Sequence, residues 1–529
     1  MSVPPPLARP VPLNRRQRWA LAIILLAAAF LRVVDLDHPP FWEDEIVTVQ
    51  NLFADPWLPL GETRVDHARL MAQQRVSGWD EYLENVFRHE DSPPLYFEAI
   101  RVWSMAAGIS ETRLRLFSVL LGFLAVVIFV GLARRLLPPW PALAATLLMA
   151  AHPFVVEYSR EARTYALVLL LAVTALRLLW VIGEGSGKWW HRVLFVAVNA
   201  ALLYAHYQTL FFIAAEAAAL LVVWRRWSGL LWVGAAGVLF LPGAATLIRK
   251  LTQFQTGQRE IWVQAAGAPW TVLGWLSTAA TLPKKYLAGN LVLAKDSWLL
   301  APLAILALLV AVRLAAGARA HWRRDSRSAG ALLLLLAVPI TAVFLADLVL
   351  KMNTIQAPRY LIFLMPVVLL LGVMPLGTPC ARRLDSVLAV LLAVSLGAGS
   401  AWYFSHGKHG IEWRDRVAEL QARTTPDDLV VVDYKRDALL VAWYLQAPRR
   451  IFLGLPDAEL VRVIDGNPGR RLVYLPRNET YLPDDPAAFP LTRLSPLVRE
   501  GRLVPESWIV DPRRYRPVLY YRIAGRAHP

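Results

Sequence analysis

The segment 15-RRQRWALAIILLAAAFLRVVDLDHPPFWEDE-45 decides how the rest of the chain is read. Arg15, Arg16 and Arg18 precede an apolar run, 19–34, interrupted by Arg32. A basic start and an apolar stretch resemble a secretory signal, but no small-x-small cleavage site follows; Arg32, Asp35 and Asp37 do. The run is therefore expected to stay as a first membrane span. Directly behind it, Trp42-Glu43-Asp44-Glu45 sets three carboxylates at the edge of a bilayer, where desolvating them is costly.

Outward from this corner, the whole 529-residue chain is apolar: 56% of residues are hydrophobic, 18% are charged, and mean hydropathy is +0.41. An ordinary soluble domain carries about 25% charged residues, so composition points to an integral membrane protein. A net charge of +16 would fit nucleic acid only if the basic residues formed one face. They fall instead in short clusters between apolar runs, which makes them topology markers and argues against a nucleic-acid partner. Cys380 is the single cysteine, so an intrachain disulfide and a CxxC metal site are excluded.

Apolar runs long enough to cross hydrocarbon recur at 19–34, 113–133, 139–156, 163–182, 191–206, 208–224, 229–248, 298–316, 330–351, 359–377 and 384–404. The expected fold is a membrane all-α, polytopic bundle of about eleven transmembrane helices. When spans alternate sides, Arg15/Arg16/Arg18, Arg134/Arg135, Lys188/Arg192, Arg225/Arg226, Arg319/Arg323/Arg324/Arg327 and Arg382/Arg383 share one side, the cytoplasm by the positive-inside rule. Residues 1–18 then form a disordered basic cytoplasmic tail, 19–404 the membrane domain, and the loops 35–112 and 249–297 face outward with everything from 405 on. Tryptophans such as Trp19, Trp140, Trp180, Trp224, Trp298 and Trp402 mark span ends, an interfacial belt with no functional content.

From 411 the pattern changes. Trp413, Val417 and Leu420 form a helical stripe, 429–432 and 471–475 read as strands and 437–445 as a helix. A small extracytoplasmic α/β domain over 405–529 is the economical reading.

Chemistry concentrates at outer span ends. Asp44 and Glu45 can supply a general base or ligands for a divalent cation; a solvated loop start is the plain alternative. Glu157-Tyr158-Ser159-Arg160-Glu161-Ala162-Arg163-Thr164-Tyr165 lies between two spans. It either caps a helix pair with local ion pairs or turns Glu161 and Arg163 into a pocket, where Arg163 can fork onto a phosphate. Tyr204, His206 and Tyr207 stand at another outer end, where belt tyrosines and a satisfied interfacial histidine are the ordinary explanation. Arg359 and Tyr360 open a later span, as a snorkelling anchor or a second phosphate contact. Lys284 and Lys285 add a basic shore suited to an anionic headgroup. Glu216 lies in mid-span and needs a partner inside the bundle, and Asp347 with Lys351 reads as a helical ion pair.

Taken in order, Trp42-x-Asp44-Glu45, Pro93-Pro94-Leu95-Tyr96, Glu161-Ala162-Arg163-x-Tyr165-Ala166, Tyr204-x-His206-Tyr207, Pro358-Arg359-Tyr360-Leu361 and Trp413-Arg414 resemble the bacterial members of glycosyltransferase family 39, polytopic enzymes related to protein O-mannosyltransferases and the lipid A aminoarabinose transferase. The resemblance implies a GT-C type fold with an outward-facing site in the inner membrane. It implies a polyprenyl-phosphate sugar as donor, a protein, lipid or envelope glycan as acceptor, and inversion at the anomeric carbon. Asp44 would be the catalytic carboxylate beside Glu45. Glu161, Arg163, Tyr165, His206, Tyr207 and Tyr360 would line the substrate site, with Arg359 or Lys284 and Lys285 on the lipid phosphate. Ser92 departs from the His that many relatives carry before the Pro pair, and Glu412 from an Asp. A lipid-linked glycan transporter is the alternative from another class, but it would want charges along the spans rather than at their ends.

Overall fold

The computed structural model describes residues 11–53, 58, 61–73, 78, 80, 93–253, 271–276, 300–350, 354–373, 391–401, 403–404, 413–476, 492–509 and 518–524. Lys284, Lys285, Ser92, Lys351, Cys380, Arg382, Arg383 and Glu412 lie outside the described residues. The chain divides into two compact units, Met1–Leu36 with Glu90–Ser405, and Asp37–His89 with His406–Pro529. The sequence reading kept 35–112 with the membrane part; the structure gives 37–89 to the C-terminal unit. The physical reason is a strand, Gly61–Val65, which pairs along one edge with Arg449–Leu453.

The first unit is helical. Helix Arg15–Val33 opens on a capping box in which Asn14 and Gln17 satisfy each other's backbone N–H. Helices Glu111–Leu136, Tyr165–Gly183, Gly229–Ile248, Ile305–Arg324 and Ser326–Leu350 are long and apolar enough to cross a membrane, and Pro139–Ala151 with Pro153–Ser159 makes a sixth if the bent pair is one span. These mark a multi-pass membrane protein. Among the described residues the number falls below the expected eleven, although helix lies within every one of the eleven expected segments. Part of the shortfall comes from helix Trp189–Ala205, which is only 17 residues long, and part from irregular segments. Thr209–Ala218 runs into a π turn at Ala219–Val223, and the segment after Ala357 begins as a 3-10 helix, Pro358–Leu364, kinked at Leu361 before Met365–Gly372.

The second unit is built on six strands: β1 (Gly61–Val65), β2 (Leu429–Val432), β3 (Arg449–Leu453), β4 (Arg471–Leu475), β5 (Leu503–Ile509) and β6 (Val518–Ile523). They form one sheet in the order β1-β3-β2-β4-β6-β5, with β2 parallel to β3 and β4 and the remaining pairs antiparallel. Leu429-Val430-Val431-Val432 is buried at every position, as a central strand covered on both faces requires. Leu429, Val431, Phe452, Leu472 and Tyr474 pack with Leu460 and Ile464 of helix Asp457–Asp465 into one apolar core. Helix Trp413–Arg423 carries the expected Trp413, Val417 and Leu420 stripe, all buried. Helix Lys435–Tyr444 crosses from β2 to β3.

Candidate active site

Two residues, His152 and Pro153, create the irregular element that leads into a cluster of buried charges in the first unit. Pro153 has no N–H to continue helix Pro139–Ala151, and the chain bends by 53° into Pro153–Ser159. Proline sits favourably at the start of the new helix, and His152 Nδ1 caps it by accepting from the Phe154 N–H at 3.2 Å. The bend delivers Glu157, Tyr158 and Ser159, after which Arg160–Thr164 runs as a tight turn, with the Arg163 N–H donating to the Glu161 carbonyl at 2.7 Å. Every residue from 152 to 169 is buried, so Glu157, Arg160, Glu161 and Arg163 are enclosed charges. Buried ions are tolerated only with well-made partners or a ligand that supplies them.

Arg160 is held by backbone carbonyls and aromatic rings. Its Nη2 donates to the carbonyls of Val34 and Asp35 at 2.7 and 2.6 Å, and its guanidinium lies over Phe404 and Tyr403, 4.8 and 5.3 Å from the ring centres. Arg163 instead lies over Phe97, 5.4 Å from the centroid. Beside it runs an aromatic file. Tyr158 meets Tyr165 at 5.1 Å, Tyr165 meets His206 at 6.1 Å, and His206 meets Tyr360 at 5.1 Å, with Arg359 lying 5.4 Å over Tyr360. The structure thus gathers Glu161, Arg163, Tyr165, His206, Arg359 and Tyr360 from three separate stretches. Tyr207 is placed differently: its ring lies 6.5 Å from Phe240 of helix Gly229–Gln253, as does that of Tyr204 at 5.1 Å.

Sequence reasoning passed over two further arginines. Arg32 donates from Nη1 to the carbonyls of Ala28 and Ala150 at 3.0 and 2.9 Å, and Arg115 Nη1 to Leu36 at 3.1 Å. Arg115 and Arg160 thus bring cationic donors to the carbonyls of Val34, Asp35 and Leu36 just beyond the first helix, at the negative end of its dipole, while Arg32 bonds the first helix to the end of Pro139–Ala151. The available signal was Arg32 itself, a charge inside an apolar run. Asp347, read as a partner of Lys351, accepts from Trp275 Nε1 at 2.8 Å and from the Thr354 N–H at 3.0 Å.

In the second unit, Asp44 and Glu45 occupy the first turn of helix Glu43–Asn51, where carboxylates suit the free N–H groups and the positive end of the dipole. Glu45 is buried. Asp44 Oδ1 lies 3.1 Å from Nη1 of Arg436, an ion pair in which both side chains keep limited exposure. A second polar group unseen in the sequence sits at the ends of β2 and β4, where Asp433 accepts from the Tyr474 hydroxyl and from Arg493. Burial pushes the Asp433 carboxyl up from its ordinary value, against the pull of those two donors. Among the described residues, no group of three or more His, Cys, Asp or Glu side chains is arranged to hold a metal ion.

Residues 91–248 match the model of the dolichyl-phosphate-mannose-protein mannosyltransferase family. In fold the chain is similar to ArnT from Cupriavidus metallidurans, with a TM-score of 0.51 and 13% identity over 98% of this chain and 100% of that one. Further likenesses are to the oligosaccharyltransferase AglB of Archaeoglobus fulgidus, with a TM-score of 0.44 and 11% identity over 87% and 69% of the two chains. The Pmt1-Pmt2 O-mannosyltransferase complex of S. cerevisiae gives 0.31 and 14% over 46% and 34%. A search of curated protein sequences gives no match. The resemblance carried by the ordered motifs therefore stands, in a family match over the bend and turn just described and in an ArnT-like fold.

Proposed function

We propose that this chain, similar in family match and fold to the polyprenyl-phosphate-dependent glycosyltransferases, transfers a sugar from a polyprenyl-phosphate carrier to an acceptor hydroxyl on the outer face of the inner membrane. The observation that carries the reading is the group of buried Arg163 and His206 with half-buried Arg359 and their aromatic neighbours, much of it inside the family-matched region. Guanidinium groups in a low-dielectric setting suit a phosphodiester-like headgroup. The flanking rings offer faces to a sugar or an isoprenoid unit.

In the proposed reaction, Asp44 accepts or orients the proton of the acceptor hydroxyl. The acceptor oxygen bonds to the anomeric carbon from the face opposite the phosphate, the bond from that carbon to the phosphate oxygen breaks, and the configuration inverts. Polyprenyl phosphate leaves with the electron pair. Arg163 and Arg359 stabilise the negative charge that grows on the phosphate, the kind of interaction that strengthens in the transition state. Glu161 orients donor hydroxyls. The acceptor is a protein, lipid or envelope glycan.

The test is mass spectrometry of lipid-linked sugars and envelope glycans from a deletion strain complemented with wild type or Asp44→Asn. The expected result is an accumulated polyprenyl-phosphate sugar and a glycan short of one residue, restored by wild type alone. Unchanged lipid and glycan pools in the deletion strain would overturn the transferase reading.

A further inference from the structure

The reaction as written above gives the sheet and the C-terminal sequence of the second unit no part. Their placement of the acidic corner gives them one. The segment 37–44 is fastened to the C-terminal sequence at three successive points. Arg414 donates to the carbonyls of Asp37 and His38 at 2.7 and 3.0 Å. The Phe41 N–H donates to the Tyr444 hydroxyl at 2.7 Å, while the Phe41 ring lies 5.4 Å from that of Trp443. Arg436 then pairs with Asp44 at 3.1 Å.

Arg436, Trp443 and Tyr444 all belong to helix Lys435–Tyr444, and the spacing of seven and eight residues returns them to one face. That helix is itself fixed between β2 and β3 of the sheet, and its far end is tied to the first-loop sequence again. His67 Nδ1 bonds the Trp443 carbonyl at 2.8 Å, and the His67 ring stands edge-on to Trp443 at 4.8 Å. A solvated loop start needs none of this. A carboxylate that must meet a reacting hydroxyl within a fraction of an ångström does, because side chains hold a productive geometry only when their own neighbours fix them.

We infer that the sheet unit positions Asp44, with Arg436 as the residue that aims its carboxylate. Arg436 is a positioning residue, since it acts through Asp44. The inference rests on Asp44 being the reacting carboxylate. Arg436 also lies 5.9 Å over the Tyr434 ring, a second contact that holds the guanidinium.

The experiment uses the full-length chain in membranes, supplied with the lipid-linked sugar that accumulates in the deletion strain, and compares wild type, Asp44→Asn, Arg436→Gln and Arg436→Lys. A misplaced catalytic group typically costs about 100-fold in rate. Arg436→Gln is accordingly expected to lower kcat by about 10- to 100-fold with KM for the donor held within about twofold, and Arg436→Lys to recover part of the loss. A thermal-unfolding cycle over Asp44→Asn, Arg436→Gln and the double variant reads the ion pair without any turnover, and should give non-additive shifts. Wild-type kcat in Arg436→Gln beside an inactive Asp44→Asn overturns the positioning role while leaving the carboxylate in place. So do additive shifts in the cycle. Full activity in Asp44→Asn removes the reading on which the inference stands.

Discussion

Thr164 Oγ1 donates a 2.9 Å hydrogen bond to the carbonyl of Ala205, joining the residue before helix Tyr165–Gly183 to the last residue of helix Trp189–Ala205. Both residues are buried, and Ala205 is followed at once by His206. The bond satisfies a helix-end carbonyl that has no helical donor, and it fixes where the His206 ring enters the aromatic file. Thr164→Val keeps the shape and deletes the donor, leaving a buried oxygen unsatisfied at a cost of about 1–3 kcal/mol. The expected outcome is a lower unfolding midpoint for the detergent-purified chain, with Thr164→Ser close to wild type. Equal midpoints for all three would mean that the bond contributes nothing.

Gly122 tests how tightly the turn is seated. A Cβ at Gly122 would fall 2.4 Å from Ser159 Oγ and 2.5 Å from its Cβ, but an ordinary 3.4 Å from its Cα. Helix Glu111–Leu136 can therefore approach the end of Pro153–Ser159 only through glycine. Gly122→Ala should destabilise by about 1–3 kcal/mol, the usual range for overpacking. Adding Ser159→Gly should recover much of the loss, whereas adding Ser159→Ala should not, because the Cβ remains. Recovery by both would show that the Ser159 hydroxyl rather than its Cβ is responsible.

These two contacts show where sequence reading succeeds and where it stops. The long apolar runs were legible because a helix in hydrocarbon must be apolar over its length. Leu429–Val432 was legible because a doubly covered strand is apolar at every residue. The bend at Pro153 was not: proline inside an apolar run is compatible with a kinked continuous span, and only the His152 cap decides for a break. β1 was also hidden, since Gly61-Glu62-Thr63-Arg64-Val65 is an edge strand whose partner lies almost 400 residues away in the chain. At the site, the sequence reading set Arg163 and Arg359 at outer span ends, and the structure places Arg359 over Tyr360, whose ring lies 5.1 Å from that of His206. The same reading could not separate Arg160, spent on backbone carbonyls, from its neighbour, nor pair Asp44 with Arg436.

Arg160 makes that distinction measurable. Its two short bonds leave from one nitrogen, while the guanidinium lies over Tyr403 and Phe404. Lysine carries the charge but has no plane to stack and holds its ammonium at a different reach. Arg160→Lys should therefore lower stability by about 1–3 kcal/mol, the scale of a lost charge-assisted bond. Arg163→Lys, at a position read as a phosphate contact, should leave the midpoint nearer to wild type and act on transfer. The reverse order, with Arg163→Lys the less stable, would exchange the two roles.

The edge of the sheet offers a prediction with a defined pH sense. Glu506 stands at the irregularity in β5 between Pro505 and Ser507, where its Oε2 accepts from Arg471 Nε and its Oε1 from Arg522 Nε, both at 2.7 Å. One carboxylate thus ties β5 to β4 and β6. Burial raises its proton affinity, but the bonds and charges of the two arginines outweigh that and hold the group below its ordinary value of 4.5. A carboxylate whose folded-state value is depressed stabilises the fold fully above its unfolded value and loses that contribution as pH falls through the folded one. Both arginines are partly solvated, so the network should be worth no more than about 0.5–1 kcal/mol and should weaken in salt. Glu506→Gln should accordingly lower the midpoint of the full chain at pH 7, and the gap to wild type should close as the pH drops below the ordinary carboxylate range. A gap that persists undiminished in acid and in high salt would assign the effect to packing of the side chain instead of its charge.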